Sequence, residues 1–450
     1  NILLHYRDLR IHQNPALYYA SKKTVLPIYI WNDKNDRPID NWLQSSLQSL
    51  KKEYLKHNVP FYVLEGDLIK ILKDLIKKTD AEGLFYNKCY EPEFLKIEKK
   101  IDSSFKDLIK IHSYEGNYLI SPDTVKTNKN TPYKVFTPFY KSFLKEYENP
   151  KSLKTGSLNG YKKNLSSFKE KMLQDFTFPE HFSPGENEAL KKFEKFIKNE
   201  IDEYRQLKDF PCKYATSLLS PHLHFGEINP HFIWHKVNKK TSKGRKTFLK
   251  ELIWREFANN LFFHFQDLDK KSWKKEFRKF PWSKNTKLLQ KWKSGQTGYP
   301  IVDAGMKQLI SEGWMHNRVR MIVASFLTKD LLIPWQEGAK WFLETLFDAD
   351  LASNSMNWQW VAGSGPDAAP FFRIFNPVSQ SKKFDPEGNY IRKFLPELKN
   401  LDSKWIHEPS KAPQKVLEDA GIILGKAYPK PIIDHEKMRK KALNFFKKIK

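Results

Sequence analysis

The chain is 450 residues long and carries 78 Lys and Arg against 52 Asp and Glu, a formal net charge of +26. At roughly 150 residues per domain this length suggests two or three domains, with ample chain for large cores. No run approaches the roughly eighteen apolar residues of a membrane span, and residues 1–13 lack the apolar stretch of a signal peptide. Two cysteines, Cys89 and Cys212, are too few for a disulfide framework or an iron–sulfur cluster. The expectation is a soluble, cytoplasmic protein with two plain thiols.

Charge is unevenly spread: +2 over residues 1–125, +4 over 126–190 and +20 over 191–450. A polyanionic partner would bind the C-terminal part. A Lys-rich, solvated surface would give the same bulk figure, so charge alone leaves both readings open.

In chain order, residues 2–5, 25–31, 60–64 and 83–86 read as short buried strands, and 42–55 and 68–78 as amphipathic helices. Strand and helix in alternation predict a parallel α/β sheet. No GxGxxG follows the first strand, which runs instead into RDLRIHQNPAL, where Asn14-Pro15 marks a turn. From 126 to 185 periodicity weakens while Lys, Asn, Ser and Pro accumulate, which predicts a long surface connection. Its aromatic run TPYKVFTPFYKSF should pack on a domain. Beyond 186, helical periods dominate, over 189–207, 248–265, 287–293, 303–312, 317–331 and 335–346. The run 236–250 holds seven basic residues and no acid, either a phosphate-facing edge or a solvated helix connection.

The stretch DADLASNSMNWQW at 348–360 stands apart, with two acids, two Asn and two Trp in thirteen positions. Trp358 and Trp360, two apart, point to different faces of a helix, and polar groups so close to large aromatics must be hydrogen-bonded or wet. A helix end with Asp and Asn caps would satisfy this; so would a planar ligand with polar edges. In FLKELIWREF, Glu251, Trp254 and Arg255 lie near one helical face, and in WMHNRVRM Asn317, Arg320 and Met321 fall within about a turn. His222, His224 and His316 have no partners at zinc spacing, so no metal site is expected.

These motifs occur in a familiar order. RDLRIHQNPAL, NKCYEPE (87–93), TSLLSPHLHFGEI (216–228), ELIWREF, GYPIVDAGMKQL (298–309), WMHNRVRM, DADLASNSMNWQWVAGSGPDAAP and RIFNPVSQSKKFDPEGNYIRKFLPEL together make the chain similar to the photolyase/cryptochrome family over essentially its whole length. Within that family it resembles the class I cyclobutane pyrimidine dimer (CPD) photolyases. The resemblance implies an α/β protein, with a Rossmann-like parallel-sheet antenna domain (1–125), a linker (126–185) and an all-α FAD-binding domain (186–450) that holds FAD in a bent form.

Carried over residue by residue, the resemblance implies that Tyr204, Thr216, Ser217, Leu218, Leu219, Ser220, Phe248, Glu251, Asn317, Arg320, Asp348, Asp350 and Asn354 bind FAD. Hydroxyls and backbone N–H groups at a helix start suit its phosphates, although Leu218 stands where some relatives carry a basic residue. Arg320 would pair with Asp348, and Asn354 would face flavin N5. Glu251, Trp254, Asn317, Met321 and Trp360 match the dimer pocket, with the two Trp as walls and Glu251 hydrogen-bonding the pyrimidine edge. Relatives acting on the (6-4) photoproduct carry His at the positions of Asn317 and Met321. Trp358, Trp335 and Trp282 match the chain that photoreduces the flavin. DNA contacts are assigned to Glu251, Trp254, Arg255, Asn317, Arg318, Arg373, Gln380 and Lys383, the cationic ones gripping phosphates.

The implied chemistry is electron donation from excited FADH⁻ to a flipped-out dimer of UV-damaged DNA, ring splitting and electron return, by a chain that acts as a monomer. An antenna chromophore is also implied, as folate, deazaflavin or FMN. Glu93 and Phe94 stand where a folate-binding relative offers Asn and Glu, which weakens the folate case. A cryptochrome-like blue-light receptor and a DASH-type single-strand photolyase are the alternatives.

Overall fold

The apolar runs of the N-terminal part form strands in the computed structural model, which describes residues 1–32, 37–213, 215–367 and 372–449. Two compact units result: Asn1–Asp202 with Ser217–Gln266, and Glu203–Thr216 with Asp267–Lys450.

In the first unit, β1 (Ile2–Leu4), β2 (Leu26–Trp31), β3 (Tyr62–Glu65), β4 (Gly83–Asn87) and β5 (Lys110–Tyr114) pair in the order β3-β2-β1-β4-β5, every pair parallel. A parallel sheet is covered on both faces, so its inner strands are continuously apolar rather than alternating; β1 and β4 are buried throughout. β5 escaped the sequence reading because KIHSY mixes polar and apolar residues on a partly exposed edge. Helices α1 (Pro15–Ala20), α2 (Pro38–Lys56), α3 (Leu68–Thr79) and α4 (Pro92–Phe105) alternate with the strands. Ile2, Leu4, Ile28, Leu72, Leu84 and Ile101 anchor the resulting core.

The segment expected to be an irregular connection contains a helix, α5 (Phe136–Glu146). Its Phe136, Phe139 and Phe143, at i, i+3 and i+7, are all buried; the surrounding Lys, Ser and Pro hid that period. The helix expected over 189–207 is divided. α6 (Glu186–Asn199) ends at Glu200, and α7 (Tyr204–Leu207) belongs to the second unit. The first unit closes with α8 (Ser220–His224), α9 (Pro230–Asn238) and α10 (Lys243–His264). Part of the basic run is structural: Arg245 is buried and pairs with Asp202 at 2.9 Å. Lys250 lies 5.5 Å from the ring centroids of Phe136 and Tyr140.

The second unit is helical: α11 (Thr286–Lys293), α12 (Pro300–Glu312), α13 (Asn317–Ser325), α14 (Trp335–Thr345), α15 (Leu351–Ala362), α16 (Pro377–Phe384), α17 (Asn389–Phe394), α18 (Ser403–Ile406), α19 (Gln414–Asp419) and α20 (His435–Ile449). The single helix expected over 317–331 widens into a π-helical turn at Phe326–Asp330. This turn holds two fully buried charged residues. Lys329 Nζ donates to the Ala362 carbonyl at 2.9 Å, and Asp330 meets His435 Nδ1 at 2.6 Å. Both groups are buried with at least one polar partner, while Asp330 Oδ2 has no hydrogen-bond partner among the described residues. Of the two cysteines, Cys89 is buried and Cys212 partly so, both as free thiols.

Candidate flavin and nucleic-acid sites

Helix α15 shows how the unusual 348–360 stretch folds. Asp350 caps it, its Oδ1 accepting from Ser353 N at 2.8 Å. Gly363 ends it at φ 84°, a left-handed position that suits glycine. Between these ends the helix turns its polar and aromatic side chains toward a cavity of about 130 Å³, lined by Asp348, Asp350, Asn354, Trp358 and Trp360. Asn317, Arg320 and Met321 from α13 complete that lining, with Phe342 from α14. Capping and a ligand-facing surface, posed as alternatives by the sequence, coexist on one helix.

The polar side of the cavity is tightly fixed. Arg320 Nη2 donates to both oxygens of Asp348, at 3.0 and 2.9 Å, and its Nε donates to the Met315 carbonyl at 2.7 Å. This is the ion pair expected from the sequence. Asn354 is pinned by its amide nitrogen, which donates to Ala339 O at 3.0 Å. His316 caps α13 by accepting from Arg318 N at 3.2 Å. Burial pushes its pKa down to about 4, with Arg320, Arg318 and Lys208 adding to the effect and Asp209 opposing it. The ring is therefore neutral at pH 7 and able to accept that bond.

Behind the cavity, Trp358 is buried, and a Cβ on Gly338 of α14 would lie 2.1 Å from its ring. Only glycine lets α14 approach so closely. Trp335 is fully buried with its indole N–H on Ser272 Oγ at 3.1 Å, and Trp282, partly exposed, packs 4.4 Å from Phe280. Trp292, not singled out from sequence, meets Trp358 edge-on at 6.2 Å.

A second cavity of about 590 Å³ gathers Arg318, Arg373, Gln380 and Lys383, all four assigned to DNA phosphates or their surroundings by resemblance. It also holds Asp209, which the sequence reading missed. Asp209 Oδ2 forms an ion pair with Arg318 Nη2 at 2.9 Å, while the guanidinium lies 4.4 Å from the Phe384 ring centroid.

The other expected site residues belong to the first unit, except Tyr204 and Thr216, which belong to the second. Trp254 on α10 stacks on Phe136 of α5, centroids 3.5 Å apart and planes within 6°. Arg255 pairs with Glu256 at 3.2 Å and covers Tyr118. Phe248 packs on Phe196 at 4.8 Å. Glu251 occupies the same helix as Trp254, one turn earlier. In the 216–220 run, Leu218 sits at φ 52°, a left-handed conformation unusual for leucine. Ser217 Oγ accepts from Leu219 N at 3.4 Å, and Ser220 opens α8. Tyr204 is buried at the start of α7.

Residues 1–156 match the family described as DNA photolyase, and residues 248–448 the FAD binding domain of DNA photolyase. A deoxyribodipyrimidine photo-lyase from Agrobacterium fabrum is 43% identical over 466 residues, covering 99% of this chain and 97% of that protein. The chain belongs to the DNA photolyase family. A second relative, the deoxyribodipyrimidine photo-lyase of Escherichia coli, is 36% identical and covers 97% of this chain and 96% of its own length. A solved bacterial class III photolyase from Agrobacterium tumefaciens matches with a TM-score of 0.93 and 42% identity, over 100% of this chain and 97% of that one. The sequence reading had named class I; this photolyase relative is class III.

The photolyase cofactor, FAD, fits the first cavity by the chemistry of its lining. A buried carboxylate paired with a partly exposed arginine, and a pinned amide, can meet the polar edge of a flavin, and aromatic rings can cover its apolar parts. Among the described residues, no helix is long and apolar enough to cross a membrane.

Proposed function

We propose that this photolyase repairs cyclobutane pyrimidine dimers in UV-damaged DNA, using light. The observation that carries the reading is the convergence of Asn317, Met321 and Trp360, expected to face the dimer, with Arg320, Asp348, Asp350 and Asn354, expected to hold the cofactor, on one cavity. Reduced FAD, when bound, supplies light absorption and the transferable electron.

The protein's own part is placement and electrostatics. Trp360 walls the extruded dimer, and Asn317 hydrogen-bonds its polar edge where negative charge develops; motif resemblance assigns the same two roles to Trp254 and Glu251. The Asp348–Arg320 pair keeps a fixed cation beside the cofactor. Trp358, Trp335 and Trp282 relay an electron inward when the cofactor is oxidised. Tyr204, Phe248 and residues 216–220 serve the remainder of FAD. Arg318, Arg373, Gln380 and Lys383 grip the DNA backbone without reading its sequence, and Arg255, assigned to DNA by resemblance, also pairs with Glu256 and lies over Tyr118. The lesion, rather than the class label, is what these residues specify.

The test is repair of one defined thymine dimer in duplex DNA under near-UV to blue light with reductant, beside a dark control. Wild type should remove the dimer only in light. Glu251→Ala should lower the yield by roughly tenfold or more, the scale of a lost transition-state hydrogen bond. Absence of repair by folded, FAD-loaded, reduced protein would refute the reading and place a blue-light receptor first.

A further inference from the structure

The second cavity contains one contradiction. Arg318, Arg373 and Lys383 make it cationic, and Gln380, Asn376 and Ser379 add neutral polar groups, yet one carboxylate, Asp209, is the only acid among its described lining residues. Asp209 is not a bystander. It pairs with Arg318 Nη2 at 2.9 Å and lies 3.7 Å from Lys208 Nζ. Arg318 Nε is buried without a hydrogen-bond partner among the described residues, so the carboxylate only partly satisfies this guanidinium. The pair is partly exposed, with side chains 17% exposed for Arg318 and 29% for Asp209, so solvent and an incoming anion can reach both partners.

The neighbouring residue supplies the second half of the argument. Asn317 lines the first cavity and Arg318 the second, so consecutive residues in the first turn of α13 serve the two. His316 ties that turn together by accepting from Arg318 N.

We propose that Asp209 is a positioning and specificity-determining residue that holds Arg318 in reserve and must be displaced by a DNA phosphate. Undamaged duplex offers only phosphates and must displace Asp209 unaided. Damaged duplex also places a flipped dimer against Asn317, and that contact stabilises the displaced arrangement of the same helical turn. Asp209 therefore weakens binding to undamaged DNA more than to damaged DNA. This inference rests on the proposed repair function and concerns the phosphate cavity alone.

The experiment uses the full-length, FAD-loaded protein in the dark, with labelled duplexes that carry or lack one thymine dimer, titrated at several KCl concentrations. Asp209→Asn should tighten binding to undamaged duplex by about three- to tenfold and steepen the slope of log K against log salt by about 0.9, one additional phosphate contact. The damaged-to-undamaged affinity ratio should fall. Asp209→Glu, which keeps the charge, should retain the wild-type slope. On damaged duplex, where Asp209 is already displaced, Arg318→Met should make the slope shallower by a similar amount, and on either duplex adding Asp209→Asn to it should change nothing further, because Asp209 acts through Arg318.

Unchanged affinity and slope in Asp209→Asn would overturn the proposal. So would weaker binding, or tightening that persists without Arg318. Wild type that binds neither duplex would instead overturn the repair function on which the proposal rests.

Discussion

Two arginine–aspartate pairs issue from one helix and behave as opposites. Arg320 grips both oxygens of Asp348, fixes its own Nε on a carbonyl, and holds a carboxylate whose side chain is 2% exposed. Arg318, two residues earlier, makes a single 2.9 Å contact to a carboxylate that is 29% exposed. Positions i and i+2 point to different sides of a helix, so α13 presents one arginine to each cavity. The residue types are the same; the burial of the carboxylate and the number of contacts to the guanidinium decide the outcome. The first pair is a strut, because its carboxylate is buried and its guanidinium, though 24% exposed, is held by both carboxylate oxygens and a carbonyl. The second pair is a latch, because water and salt compete for both partners.

The strongest way to break this comparison is Asp348→Ala. It would leave the Arg320 cation without its carboxylate beside the cofactor cavity and should destabilise the protein by roughly 3 kcal/mol. Loss of bound flavin should accompany it. Urea denaturation and the ratio of flavin to protein absorbance measure the two effects. A variant that keeps full flavin occupancy and wild-type stability would show that this pair, too, is only a latch.

Acidification gives a smaller effect and tests what the two arginines share. His316 caps α13 with a pKa pushed down to about 4 from an ordinary 6.5. Between those values the unfolded chain binds a proton that the native ring refuses. The contribution is therefore complete above pH 6.5 and is lost as pH falls toward 4, on the order of 1–2 kcal/mol by pH 5. Buried carboxyls act in the opposite direction. Burial pushes Glu186 and Glu256 up to about 7, although each accepts two backbone N–H groups. Their contribution is complete below about pH 4.5 and is lost as pH rises through 7. His316→Asn keeps a capping side chain and removes only the first slope. Compared at pH 7 and pH 5 by urea denaturation, it should lose less stability on acidification than wild type. An equal loss in both would remove His316 from the account.

What could be read in advance follows the same physics. The inner strands were legible because a sheet covered on both faces demands unbroken apolar runs, and β5 was not because an edge strand carries no such demand. Helix α5 was written in the spacing of Phe136, Phe139 and Phe143, but in a segment whose composition argued for a loop. The Arg320–Asp348 pair came from motif resemblance, and the structure supplied its geometry. Asp209 left no mark, since a lone acid in YRQLKDFP has no partner until α7 and α13 are placed in space. The π-turn was illegible for a similar reason: Lys329 and Asp330 looked like the polar face of an ordinary helix, and only their partners Ala362 and His435, far along the chain, explain their burial.

The finest test compares the pairs as pairs. Arg318→Met should change stability by less than about 1 kcal/mol, because the lost ion pair is a single contact to a partly exposed carboxylate and the methionine stem still covers Phe384. In a double-mutant cycle, Arg318→Met with Asp209→Asn should give a coupling of a few tenths of a kcal/mol, against roughly 2 kcal/mol or more for Arg320→Met with Asp348→Asn. The cycle cancels whatever each substitution does alone, so it reads the strut and the latch directly. Raising KCl should shrink the first coupling toward zero and leave most of the second, since salt screens exposed charges far better than buried ones. Equal couplings with equal salt dependence would mean that burial does not separate these two pairs, and the distinction would have to be abandoned.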